Sequence, residues 1–402
     1  MKIFILFPDN LYEDISNLQS VDKVIICNDD LTSHRPYNYH PSKLKHMHDC
    51  MEFYKSYLKQ KNITYSEDLT KIKSKNTSVY LYEPNDILLK RKYKHILSRF
   101  EIVIYLPDLP NFILSYNDPI WKLQYKRHSA FFQKVKERLN VLVNVKSTDK
   151  HNQKSMTIKQ ANSFRDIQTI VPTTFKSAKK HLREFLKTKF ANFGEYQDYI
   201  IADAVYVNHS NISAALNIGI LTPHYVLKKL LKYSQDNKIS INNLEGLIRQ
   251  IIGWREYMRY LYHKGLNEDM IEKQGHLWGR KQIPIMNNHI ISWKGLTILE
   301  KEHEKIKKYG YAHHIVRLMV FLNWLVINRV HAKHVTKWFS ENFVDVYPWV
   351  MTSNILSMGY YTSKYTHKPY ITSASYLKRM SNYPDDGWVE KWNSVYSEFI
   401  KN

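Results

Sequence analysis

The sequence predicts two domains of different class: an N-terminal α/β domain built on a doubly wound, Rossmann-like parallel sheet, and a C-terminal domain that is all helix. Three observations carry this. Up to about residue 145, short runs that are apolar at every position alternate with helix-length amphipathic stretches, the pattern of a parallel sheet covered on both faces. From 146 to 175 the chain is polar and rich in Lys, Ser, Thr and Gln, without periodicity, as an inter-domain connector would be. From 176 to 402 only segments of 3.6-residue period recur, with stop signals between them. The predicted domains are therefore 1–145 and 176–402, joined by 146–175, and 402 residues are ample for two separate cores.

The expected strands are KIFILF (2 to 7), KVIIC (23 to 27), SVYLY (78 to 82), EIVIYL (101 to 106) and NVLVNV (140 to 145), with covering helices at 41 to 62 and 119 to 137. Sheets of this kind bind ligands at their carboxyl edge, which makes the loop Pro8-Asp9-Asn10 a candidate contact. A turn with a helix cap at Asp9 or Asn10 explains it equally well. The second domain is expected to hold helices at 178 to 190, 195 to 206, 211 to 219, 223 to 235, 243 to 263, 296 to 309, 311 to 328 and 331 to 343, with no strand among them.

Fifty-nine Lys plus Arg against 37 Asp plus Glu leave a net charge of +22 on a chain that is 44% hydrophobic, so the excess charge sits on a folded protein and a polyanion is the expected partner. Two cysteines, Cys27 and Cys50, are too few for a disulfide framework or an all-cysteine metal site. They suggest a reducing compartment. The opening MKIFILFPDN is too short an apolar run for a secretory core, and the longest apolar helix candidate carries Arg317, Asn323, Asn328 and Arg329, so a soluble intracellular protein is expected.

Three stretches carry candidate chemistry. NHSNISAALNIGILTP (208 to 223) puts Ser210, Asn211 and Ser213 at the start of a short helix that Gly219 ends, with Thr222 and Pro223 opening the next. Free N–H groups plus hydroxyls there suit a phosphate; plain capping is the alternative. The helix at 242 to 265 bears Arg249, Gln250, Trp254, Arg255, Glu256 and Arg259, with Leu247, Ile251, Trp254 and Met258 as its apolar stripe. Arg255 and Arg259, at i and i+4, need an anion or carboxylate nearby. In GYAHHIVRLMVFLNWLV (310 to 326), His314 and Arg317 lie three apart, with Phe321 and Trp324 following on the same side. Adjacent His313 and His314 point roughly 100° apart on a helix, which opposes joint chelation of a metal and favours His314 as a proton donor over a ligand. A buried, hydrogen-bonded histidine is the plainer alternative.

EGLIRQIIGWREYMR, GYAHHIVRLMV, WFSENFVDVYPWVMTSN (338 to 354) and KPYITSASYLKRMSNY (368 to 383) together resemble the prokaryotic iron–sulfur branch of the cryptochrome/photolyase family, the bacterial (6-4) photolyases. The likeness extends to FGEYQDYII (193 to 201), to the phosphate-site segment and to HRPYNYHPSKLKHMHDCMEFYKSYL (34 to 58), and so spans nearly the whole chain. It implies an antenna domain, a helical domain that buries FAD, and UV-damaged DNA as the partner of a monomer without membrane attachment. Reduced FAD would pass an electron, under light, to a flipped-out pyrimidine dimer. By this resemblance His314 matches the histidine that protonates the (6-4) lesion, beside His313. Arg317 and Asp345 match an ion pair along the flavin ring, and Arg317 would thus serve both catalysis and binding. His209, Ser210, Asn211, Ser213, Arg249, Trp254 and Asn354 would complete the cofactor contacts. Trp293, in ISWKGLT, matches the tryptophan nearest the flavin in the photoreduction path, with Trp338 and Tyr347 as further electron carriers. A ribolumazine would suit the antenna domain.

Three departures from that pattern stand out. Family members hold a [4Fe–4S] cluster with four cysteines of the helical domain, and this chain has none after Cys50, so no cluster is expected and no metal ligand is assigned. Pro384, Asp385, Asp386 and Gly387 stand where a cysteine pair is usual, and Trp388, Trp392, Tyr396 and Phe399 are expected to supply the lost packing. The family's Tyr-Asp-Trp-Val-Met-Glu-Pro-Asn reads Tyr347-Pro348-Trp349-Val350-Met351-Thr352-Ser353-Asn354, which replaces the acid near flavin N5 with Thr352. Phe339, where tyrosine is common, is no electron donor. The expected activity is that of a DNA photolyase, with the (6-4) lesion ahead of the cyclobutane dimer; the alternatives are a cryptochrome-like blue-light receptor and a non-catalytic DNA-binding module.

Overall fold

The computed structural model describes residues 1–28, 35–153, 155–157, 159, 171–274, 277–278, 281–282, 290–361, 365 and 370–401. The rest of the polar stretch, much of 154 to 170, lies outside the described residues. Five strands, β1 (Lys2–Leu6), β2 (Lys23–Ile26), β3 (Tyr65–Ser66), β4 (Ser78–Tyr82) and β5 (Ile102–Leu106), form one parallel sheet in the order β3-β2-β1-β4-β5. The register pairs Ile3 with both Lys23 and Val79. Chain order therefore reverses between β1 and β4, the switch point at which doubly wound sheets open a crevice. Ile3, Ile5, Ile25, Val79 and Leu81 pack on Leu89, Tyr93 and Leu97 on one face, while Phe4, Leu6, Val24 and Ile26 are buried on the other. A run apolar at every position is what burial of both faces demands.

Helix Pro41–Gln60 starts at a proline whose preceding His40 accepts from the Ser42 N–H, and helix Ile87–Leu97 is capped by the Asp86 carboxylate. Pro8-Asp9-Asn10 forms a turn, with the Asn10 N–H donating to the Phe7 carbonyl. The expected strand at 140 to 145 does not form. Asn140 adopts left-handed geometry to end helix His128–Leu139, and Leu142 also has positive φ, so the run bends before it can extend. The fifth strand is instead the two-residue β3. The helix expected over 119 to 137 divides into a tight turn, Pro119–Lys122, and helix His128–Leu139, because Leu123 is extended.

By contact the chain forms two compact units, one of Met1–Leu123, Val171–Glu184 and Ile212–Lys229, the other of Gln124–Ile170, Phe185–Asn211 and Leu230–Asn402. The division of the sequence at 145 and 175 is one of pattern rather than of contact. In the sheet unit, Gly219 ends helix Ser213–Ile218 at φ +100, where any Cβ would press on Tyr12.

In the second unit the expected helix at 243 to 263 runs continuously from Ile241 to His263, with a wider π-turn over Arg249–Trp254. The helix at 311 to 328 likewise contains a π-turn, Val316–Leu322, ahead of Asn323–Ile327. The expected helix at 195 to 206 is short, covering only Phe193–Tyr196. Beyond it the backbone donors are taken elsewhere: Ile200 N–H goes to the Met380 carbonyl and Ala202 N–H to Asn382. A two-residue antiparallel pair, Leu277–Trp278 with Lys281–Gln282, is the strand element that the helical pattern did not foretell. Helix Trp388–Lys401 buries Trp388, Trp392 and Phe399, and Trp392 meets Trp324 at 4.9 Å between ring centroids. Tyr396 is only half-buried. No described helix is long and apolar enough to cross a membrane.

Candidate functional site

Arg249, Trp254 and Arg317 lie in two π-turns, a distortion common where a helix must aim side chains away from its regular stripe. Arg317 lies in the second of them. Its Nη2 donates to Asp345 at 2.8 Å and its Nε to the Ala312 carbonyl at 2.6 Å, while Phe343 covers the guanidinium at 4.2 Å and Tyr311 at 5.5 Å. Both charged side chains are nearly buried, at 14% and 11% exposure. The same π-turn sends Phe321 and Trp324 to different partners, Phe321 to Trp293 and Trp338 and Trp324 to Trp392, in place of the single aromatic face expected of a regular helix.

One residue before the helix proper, His313 is buried, and His314 follows with 42% of its side chain exposed. They do not pair with each other, since their rings are 6.2 Å apart at a steep angle. His209 joins them: its Nδ1 reaches the Tyr206 carbonyl at 3.3 Å, its Nε2 lies 3.2 Å from Nδ1 of His314, and its ring stacks on His313 within 14°. Asp198 stands 3.6 Å from Nε2 of His314. Burial, reinforced by the neighbouring imidazoles, holds His209 and His313 well below the ordinary histidine range, so both are neutral at pH 7. Nδ1 of His313 and Nδ2 of Asn208 are buried without a hydrogen-bond partner.

These three imidazoles bring their ligand atoms within 4.8 Å of one another, the spacing of a potential metal site. The near-parallel stack of His209 on His313 works against it, because each lone pair lies in its own ring plane and two stacked planes do not share a point. The residues fit a flavin dinucleotide better. They offer a buried, already neutralised ion pair under aromatic cover, and two orphaned polar atoms flanking His209 that a polar ligand would satisfy.

Arg249 and Trp254 bound the first π-turn. Arg249 lies 3.4 Å from buried Glu245, which also accepts from the Thr148 hydroxyl at 2.7 Å. Trp254 is stacked on His128 at 3.8 Å and 6°, and that face is closed by Phe132 beyond. With its Nε2 buried and unpartnered, His128 is lowered to about 3 by desolvation and by Arg249. The carboxylate that the Arg255/Arg259 pair requires is Glu256, 3.8 Å from Arg259 with both side chains fully buried, and Arg255 lies over Trp349.

Ser210 and Asn211 end the second unit's Phe185–Asn211 segment, and Ser213 opens the helix that belongs to the sheet unit. No side chain caps that helix. The Asn354 amide donates to Val350 within its own helix. Trp293 and Trp338 meet at 5.9 Å, each 8% exposed, with Phe321 against both. Tyr347 is buried just before helix Pro348–Asn354. Thr352, fully buried, faces the Glu268 carboxylate at 3.5 Å, and Tyr262 donates to the same carboxylate at 2.8 Å. Asp198, His128 and Glu268 carried no role in the sequence reading: Asp198 and His128 are distant in sequence from His314 and Trp254, and Glu268 from Thr352, and only Asp198 lay within a stretch already of interest.

No family model matches the chain. It is 32% identical over 217 residues to a (6-4) photolyase of Agrobacterium fabrum, a match that takes in 53% of this chain and 41% of that relative. The chain thus spans about two fifths of the length of that curated relative. Among solved structures it resembles an archaeal photolyase from Sulfolobus tokodaii with two FAD molecules, at a TM-score of 0.63 and 15% identity with all of both chains covered. It also resembles a Synechocystis cryptochrome, at 0.62 and 13% identity with 99% and 94% covered. A parallel sheet followed by a helical remainder is the architecture of that fold.

Proposed function

We propose that this chain is a member of the cryptochrome/photolyase family and a light-driven DNA repair flavoenzyme, a DNA photolyase acting on the (6-4) lesion; the partial match to a (6-4) photolyase and the shared fold support that reading. The observation that carries the reading is one helix on which half-exposed His314 precedes Arg317 by three residues, with the guanidinium buried against Asp345. FAD supplies, when bound and reduced, the electron that light sends to the lesion. Arg317 and Asp345 hold it as a pair, so that neither charge is left alone in a dry pocket. His209, Ser210, Asn211, Arg249, Trp254 and Asn354 are the further candidates to line its site. His314 gives a proton to the lesion, and its exposure keeps that proton within reach of DNA. Trp293 and Trp338 carry electrons that recharge the cofactor, and a net charge of +22 draws UV-damaged DNA to the site.

An antenna chromophore of ribolumazine type is assigned to the N-terminal domain, where strand order reverses between β1 and β4. The affiliation to the iron–sulfur branch belongs to the same proposal, with the cluster lost: Cys27 and Cys50 are both buried in the sheet unit, far in sequence from the C-terminal helices. Purified protein should carry about one FAD and no iron; stoichiometric iron and sulfide would overturn the second half of that statement. One observation favours a cryptochrome-like receptor as the second reading, namely Thr352 at the position of the family's acid. Repair of a defined (6-4) duplex under blue light separates the two.

A further inference from the structure

The imidazole cluster holds a restriction that the assignment of His314 as the lesion's acid does not use. Two backbone carbonyls, those of Tyr206 and Gln197, meet the His209 ring; the Tyr206 carbonyl lies 3.3 Å from Nδ1 and can only accept, which favours the proton of His209 on Nδ1. His209 is neutral, which leaves Nε2 as a lone pair. The 3.2 Å contact to His314 then requires Nδ1 of His314 to be the donor. Nε2 of His314 is consequently the atom that gains and loses the second proton, and it is the one that faces Asp198 and the open side.

We propose that His209 is a positioning residue that fixes the tautomer of His314, so that the proton delivered to the lesion leaves from Nε2. This rests on the reading of His314 as the acid. The loop carrying His209 is built to hold it: Val207 and Asn211, on either side, both have positive φ, at 42 and 46, and a β-branched residue adopts that conformation only where its surroundings impose it. His313 stacks on His209 and keeps its ring plane aligned with the contact. The charged and titratable groups around the pair are Asp198, with Tyr376 beside it, and His313 and Arg317 from the same helix, with Lys189 and Lys305 further out.

Imidazole in water favours the Nε2–H tautomer, so the restriction has a spectroscopic signature. Nitrogen-15 NMR of protein labelled at histidine, recorded at pH 8, should show His314 in the Nδ1–H form, its signals being those lost in His314→Asn. In His209→Phe the same signals should move to the Nε2–H pattern. An Nε2–H pattern in the wild-type protein, or an unchanged Nδ1–H pattern in His209→Phe, overturns the proposal. Should His209→Phe fail to fold, His209→Leu, which also lacks an acceptor, takes its place, and the wild-type spectrum alone still decides. In parallel, the repair rate of His209→Phe, measured per FAD-loaded molecule, should fall roughly tenfold or more. Absence of repair in the wild-type protein would defeat the photolyase reading while leaving the tautomer result to stand or fall by itself.

Discussion

His314 and Arg317 sit three residues apart yet should fail in different ways. His314→Ala should keep FAD and DNA binding and lose (6-4) repair by about 10² to 10⁴-fold, since an electron delivered without its proton returns; single-turnover repair beside equilibrium binding checks this. Arg317→Ala leaves Asp345 as an uncompensated charge in a pocket only 11% exposed, a loss of about 3–5 kcal/mol that should appear as lower stability or lost flavin. His128 provides a pH test. Its folded-state value, about 3, lies below the ordinary 6.5, so the unfolded chain binds the proton first as pH falls. Stability is fully present above about 6.5 and declines as pH falls toward 3. Because the ring is not wholly enclosed, wild-type protein should lose about 1–2 kcal/mol more than His128→Phe between pH 7 and pH 5, read from urea midpoints. At this scale the sequence revealed residue types but not partners. Nothing in the spacing of His209 and His314, or of Trp254 and His128, marks them as neighbours, because those contacts join segments far apart in sequence that only the folded unit brings together.

Four of the five strands were legible: β1, β2 and β4 because burial within the sheet writes an uninterrupted apolar run, and β5 because it carries the same run although Ile102, Ile104 and Tyr105 are exposed; most helices were legible because they bury one stripe. The run at 140 to 145 misled because Asn140 serves as a helix terminator, a conformational role that apolar content does not register. The π-turns were illegible for a related reason: they shift the phase of a helix without changing its composition, which is why Phe321 and Trp324 diverge. Helix contacts offer two tests. Gly194 lies so close to helix Ile241–Ile248 that an added Cβ would fall on the Asn242 carbonyl, so Gly194→Ala should cost about 1–3 kcal/mol by forcing the two apart, measurable by denaturant unfolding. If, as proposed, the Trp293–Trp338 contact serves to recharge the flavin, Trp293→Phe should slow photoreduction of oxidised flavin but spare repair by chemically reduced enzyme; equal loss in both assays would make Trp293 structural.

For the whole molecule, the α/β-then-helix architecture followed from pattern along the chain, and the resemblance to the cryptochrome/photolyase family from ordered motifs spread over it. The interleaving of the two compact units did not, since Ile212–Lys229 joins the sheet unit through contacts far apart in sequence. A charge of +22 predicts that affinity for damaged duplex falls steeply with salt, log K declining with log salt in proportion to the phosphates engaged; affinity unchanged between low and physiological salt would refute a DNA groove. The central claim is repair itself. Its most direct measurement is chromatographic analysis of a defined (6-4) oligonucleotide after blue-light illumination with FAD-reconstituted, reduced protein, beside a dark control and a cyclobutane-dimer oligonucleotide. Light-dependent return of the two intact pyrimidines from the (6-4) substrate is the predicted result; no conversion of either substrate by protein that binds FAD and DNA would contradict it.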